Sequence, residues 1–125
     1  MVLIKKDYLP KEGPFDPDVM KDETKWGSYG AHDPAIIKEA DKYYVFSTDT
    51  GGKDQFKAGI QIRESSDLIH WQFVGRAFSD GVLKEAYDWT EAKGLWAPEV
   101  VKMNGKFYLY YAASQFGKTQ SFIYL

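Results

Sequence analysis

The chain has 125 residues, no cysteine and a formal net charge of −2, from 16 basic and 18 acidic side chains. That length suits one domain, the missing thiols exclude a disulfide framework or a thiolate metal site, and the near-neutral charge gives no basic field for nucleic acid or an anionic membrane surface. Hydrophobic residues make up 44% and aromatic residues 17%, a composition that suits strands and surfaces that stack against flat apolar faces such as those of sugars.

The opening Met1-Val2-Leu3-Ile4 run is too short for a secretory core, and no stretch of about 18 apolar residues could span a bilayer. The sequence therefore reads as soluble and without an address. A trimmed signal peptide would leave the same sequence, so secretion stays open. Residues 1–30 scatter Pro10, Gly13, Pro14, Pro17, Gly27 and Gly30 among charges and read as an irregular leader. Residues 31–78 read as a four-stranded antiparallel unit. Its strands are Ala35 to Lys38, Lys42 to Thr48, Ala58 to Glu64, where apolar and polar residues alternate as in a half-buried strand, and Ile69 to Phe78. Residues 79–94 read as a connecting loop with a helical turn around Val82 to Tyr87. Residues 95–125 restart the unit with Pro98 to Lys102, Lys106 to Ala113 and Ser121 to Leu125, the first two joined by Asn104-Gly105, a strong hairpin signal.

The restart is a repeat. Ala31-His32-Asp33-Pro34-Ala35-Ile36-Ile37-Lys38 returns in altered form as Leu95-Trp96-Ala97-Pro98-Glu99-Val100-Val101-Lys102, aligning Asp33 with Ala97 and Pro34 with Pro98. A repeated unit that cannot bury both faces alone implies an array, and four antiparallel strands per unit fit β-propeller blades better than a sandwich. The fold class is thus all-β, with about two blades, the second lacking its fourth strand. Two blades cannot close a ring, so the sequence reads as incomplete, to be covered by missing blades or by self-association.

His32-Asp33-Pro34 opens the innermost strand of the first unit, which in a propeller lines the central channel. Pro34 pushes Asp33 toward extended backbone and removes a donor, holding a carboxylate at the strand mouth where it could activate water; a solvated turn at the start of a strand is the plainer alternative. Two histidines, His32 and His70, have no metal-ligand spacing, and Gly51-Gly52-Lys53 lacks the spacing of a phosphate loop. Tyr43, Phe46, Tyr108 and Tyr110 lie within strands and read as core.

Together with His32-Asp33-Pro34-Ala35-Ile36-Ile37-Lys38, the segments Gly59-Ile60-Gln61-Ile62-Arg63, Asp67-Leu68-Ile69-His70-Trp71, Leu95-Trp96-Ala97-Pro98-Glu99 and Tyr110-Tyr111-Ala112-Ala113-Ser114-Gln115-Phe116-Gly117 resemble glycoside hydrolase family 43. In their order they are most similar to its endo-acting arabinanases, from about Ala31 to Leu125. The resemblance implies a five-bladed propeller that hydrolyses α-1,5-linked arabinan, or arabino-oligosaccharides, with inversion. Asp33 matches the family's general base. The Asp and Glu that complete the family's catalytic set belong to later blades, which implies that this chain alone is inactive. Trp96 and Phe116 match aromatic positions lining the substrate cleft, and Gly117 would let backbone approach a sugar; blade packing is the competing explanation for both rings, and an ordinary turn is that for Gly117. Glu99 does not match the family's acid and is not promoted to it. No cofactor and no metal ligand is carried over; an ion near the propeller centre would take its ligand from a later blade. A non-catalytic sugar-binding or assembly module, and a family 43 arabinofuranosidase or β-xylosidase, remain as alternatives.

Overall fold

A computed structural model describes residues 16–49, 58–115, 117–118 and 121–124. They form two antiparallel sheets. The first contains β1 (Ala35–Glu39), β2 (Lys42–Ser47), β3 (Gln61–Ser65) and β4 (Gln72–Arg76), in that spatial order. The second contains β5 (Gly94–Met103), β6 (Lys106–Ser114) and β7 (Ser121–Tyr124), again in sequence order. Between the sheets runs one helix, α1 (Lys84–Thr90), slightly later and longer than the turn expected around Val82 to Tyr87.

Local sequence explains the hairpins. Asn104 and Gly105 have φ of +51° and +74°, the left-handed pair that a two-residue type I′ turn needs to match strand twist, and Met103 pairs with Lys106 across it. The β1–β2 connection is equally tight: Glu39 pairs with Lys42, and Ala40 takes φ +51°.

The two sheets meet through β5, which packs against β1 and β2. A core of Ile60, Ala86, Ala92, Leu95, Tyr111 and Ala113 fills the junction, flanked by Phe46, Phe78, Val82 and Leu109. The Phe78 and Tyr111 rings lie 5.1 Å apart in tilted contact. An ion pair between Lys102 and Glu39 ties the same strands at the surface. Of the strand aromatics expected in the core, Tyr43, Phe46 and Tyr108 are half-buried, whereas Tyr110 is exposed.

β3 alternates as its sequence suggests, but its more buried side is the polar one: Gln61, Arg63 and Ser65 are buried while Ile62 is only half so. The cause lies in residues 16–30. These form two short 3-10 helices, Val19–Lys21 and Glu23–Lys25, followed by Trp26, which is fully buried. Arg63 donates from Nε to the Gly27 carbonyl (2.8 Å), from Nη2 to the Tyr29 carbonyl (2.7 Å) and from Nη1 to Ser47 Oγ (3.0 Å). Its guanidinium also lies 5.8 Å from the Trp26 ring and 6.0 Å from Phe73. A buried cation is tolerable when its donors are satisfied in this way and its flat faces meet aromatic rings. Burial, aided by the neighbouring Arg76, still lowers its pKa to about 10.

Candidate active site

The repeat brings two proline-preceding residues together. Asp33 has φ +49° and Ala97 has φ +44°, so the extended backbone expected from Pro34 is not what forms: both residues adopt left-handed φ. For Ala97 the reason is visible in the pairing. Trp96 faces Ala112 and Glu99 faces Tyr110, so β5 spends one residue more than β6 between them. This is a β-bulge whose strained residue is Ala97, and Pro98 there withholds no ladder donor. A left-handed non-glycine residue costs roughly 1–2 kcal/mol, and tertiary contacts must hold it.

Those contacts come from Thr48 and Asp49, just beyond β2. The Ala97 backbone N–H donates to Thr48 Oγ1 (2.8 Å), and Thr48 Oγ1 in turn donates to Asp33 Oδ2 (2.7 Å). Thr48 is itself anchored, its N–H donating to the His32 carbonyl at 2.9 Å. Asp49 is buried, and its carboxylate accepts three backbone N–H groups: Gly59 (2.8 Å), Ile60 (2.8 Å) and Leu95 (3.0 Å). Burial pushes its carboxyl up despite those three donors.

Asp33 is exposed at the head of β1. Thr48 holds one of its oxygens, and among the described residues no donor reaches the other. An exposed carboxylate fixed by one oxygen can take a proton from water with the second. Trp96 is half-buried at the head of β5, its ring held by donation from Nε1 to the Ser114 carbonyl at 3.0 Å. The Thr48–Ala97 contact therefore joins the Asp33 carboxylate to the bulge beside Trp96. Gly117 is exposed in a turn at φ +82°, with nothing within 4 Å of a Cβ added there. Phe116 lies outside the described residues. His32 and Glu99 are exposed. His70 belongs to a separate turn, where its Nδ1 lies 2.7 Å from Asp67 Oδ2. Among the described residues no three His, Asp or Glu side chains gather as a metal ion would need, and no helix is long and apolar enough to cross a membrane.

Sequence reading alone did not single out Thr48, Asp49, Arg63 or Trp26. Their partners are remote in the chain: 49 positions separate Thr48 from Ala97, and 46 separate Asp49 from Leu95. The one local sign was two polar residues directly after an apolar strand.

Residues 27–125 match the model of glycosyl hydrolases family 43. The extracellular endo-α-(1→5)-L-arabinanase of Thermotoga petrophila is 35% identical over 103 residues, which covers 74% of this chain and 20% of that protein. An extracellular exo-α-(1→5)-L-arabinofuranosidase of Cellvibrio japonicus is 37% identical over 93 residues, covering 74% of this chain and 24% of the relative. The solved α-L-arabinanase of Cellvibrio cellulosa in complex with arabinohexaose superposes with a TM-score of 0.64 at 36% identity, over 74% of this chain and 27% of that one. The chain thus spans about a quarter of the length of these relatives. Its motifs, its two antiparallel sheets and the match over residues 27–125 lead to one assignment: the chain belongs to glycosyl hydrolase family 43.

Proposed function

We propose that this chain supplies the base-bearing part of an inverting hydrolase of α-1,5-linked arabinan, with Asp33 as the general base. The observation that carries the reading is the Asp33 carboxylate, exposed at a strand head with one oxygen tethered by Thr48, in a family 43 chain whose relatives act on arabinan.

In this reading the two sheets are neighbouring blades of a five-bladed propeller, and Asp33 faces its channel. Tyr110 and Ile123, exposed on the second sheet, fall on one face of it because side chains alternate and Ile123 pairs with Ala112; a further blade, or a second copy of the chain, covers that face. Trp96, with Phe116 and Gly117, lies along the sugar, where a ring stacks on the apolar side of a furanose.

Inversion needs two carboxyl groups about 6.5–9.5 Å apart: one deprotonates water on one side of the anomeric carbon, the other protonates the leaving oxygen. Asp33 fills the first role. Water gives its proton to Asp33 as its oxygen bonds to the anomeric carbon, and the glycosidic bond breaks with its electrons and a proton going to the departing 5-oxygen. The proton donor comes from another part of the propeller, so this chain by itself should not turn over substrate. Extracellular relatives support secretion of the whole protein.

The test is proton NMR of the whole protein acting on linear arabinan. The β-anomer as first product supports inversion, the α-anomer contradicts it, and robust turnover by residues 1–125 alone contradicts the division of roles. Because an exo-acting relative is as similar as the endo-acting one, exo attack is the second reading. Free arabinose as the first product, in place of mixed oligosaccharides, would select it.

A further inference from the structure

We propose that Thr48 is the positioning residue of the Asp33 base, and that its hydroxyl decides which carboxylate oxygen takes the proton from water. The inference rests on the reading of Asp33 as base and adds a residue to it.

The direction of the hydroxyl proton follows from its neighbours. The Ala97 backbone N–H, 2.8 Å away, can only donate, so Thr48 Oγ1 accepts there. An Asp33 carboxylate ready to take a proton is ionised and can only accept, so the Thr48 hydroxyl proton points along the 2.7 Å contact to Oδ2. Oδ2 is then engaged in a charge-assisted bond, and Oδ1 is the oxygen left for water. An aspartate that is exposed and unheld would spread over several rotamers, few of them aimed at the reacting water.

Thr48 can act in this way because it is fixed from three sides. It is 4% exposed, its β-branched side chain has restricted rotamers, and its N–H is bonded to the His32 carbonyl at 2.9 Å. The next residue, Asp49, is bonded to Leu95 in the second sheet. Trp96, by contrast, is held without Thr48, by its pairing with Ala112 and by its indole N–H on Ser114. Loss of the hydroxyl should therefore disturb proton transfer more than sugar binding.

The experiment is steady-state kinetics of the whole protein on linear arabinan with Thr48→Val, Thr48→Ser and Asp33→Ala, with melting temperatures to establish folding; Thr48→Ala replaces the valine variant if that one does not fold. Thr48→Val, or its alanine substitute, should lower kcat roughly ten- to a hundredfold with KM within about twofold, the size of losing one hydrogen bond to a charged group in the transition state. Thr48→Ser, which keeps the hydroxyl, should recover most of kcat. Wild-type kcat in the variant lacking the hydroxyl, an equal loss in Thr48→Ser, or a loss expressed in KM would each overturn the role of Thr48 while Asp33→Ala is inactive. Full activity of Asp33→Ala would instead overturn the reading of Asp33 as base, a separate result.

Discussion

Asp49 and Leu95 hold each other reciprocally: the Asp49 N–H donates to the Leu95 carbonyl at 3.0 Å, and the Leu95 N–H donates to Asp49 Oδ2 at 3.0 Å. Through Gly59 and Ile60 the same carboxylate gathers the chain entering β3, so one buried side chain bonds to the chain of both sheets at once. Asp49→Ala would leave three buried N–H groups without this acceptor. We expect a loss of roughly 2–5 kcal/mol, read from the urea midpoint. Asp49→Asn should also destabilise, because either orientation of the amide turns an NH2 toward at least one of those donors.

Acidification should act on Asp49 and Asp67 with opposite signs. The His70 side chain, then the N–H groups of His70 and Ile69, hold the exposed Asp67 carboxyl well below the usual carboxylate range. Its stabilisation is complete above the unfolded value of about 3.9 and is lost as pH falls through the lower folded value. Burial raises Asp49, so its contribution is full below about 3.9 and is lost as pH rises through the folded value. Urea midpoints should therefore fall less on acidification from about pH 4 to about pH 2 in Asp67→Asn than in the wild type, and Asp49→Asn should remove a decline that sets in as pH rises above about 4. Parallel curves for all three proteins would contradict the signs.

Gly59 is required by space as well as by conformation. It takes φ +142°, and a Cβ there would lie 2.2 Å from the Phe78 carbonyl oxygen, whose residue donates its own N–H to the Gly59 carbonyl at 3.0 Å. Gly59→Ala should break this approach and cost roughly 2–4 kcal/mol, whereas Gly105→Ala, with nothing within 4 Å, should cost only the strain of its turn. Thermal melting of the two variants makes the comparison.

Arg63→Lys tests the polar side of β3. A single ammonium cannot reach Gly27, Tyr29 and Ser47 together in the planar geometry of the guanidinium. We expect a loss of roughly 1–3 kcal/mol, with a red shift of tryptophan emission that disappears when Trp26→Phe is introduced beside Arg63→Lys. An unchanged spectrum and midpoint would show that Arg63 does not fasten residues 26–29 to the sheet.

These residues also mark how far the sequence could be read. The strands, the Asn104-Gly105 turn and the alignment of Asp33 with Ala97 were legible because they rest on period, turn chemistry and repetition, all local properties. The alignment reaches the backbone itself, since both residues take nearly the same left-handed φ. Extended geometry at Asp33 was the wrong expectation because the usual preference before proline yields, in both copies of the repeat, to geometry held by tertiary contacts around Thr48. The polar partners of Thr48, Asp49 and Arg63 were not legible, since alternation shows which side of a strand a residue takes and not what lies across from it. Trp26 was hidden among Pro, Gly and charged residues, a composition that masks a single buried ring.

The central claim, that this sheet edge presents a catalytic base, is tested most directly by the turnover of linear arabinan by the whole protein carrying Asp33→Ala. Loss of the general base should lower kcat about 10²- to 10⁴-fold in a protein that still melts in one cooperative transition. Turnover equal to that of the unaltered protein would contradict it.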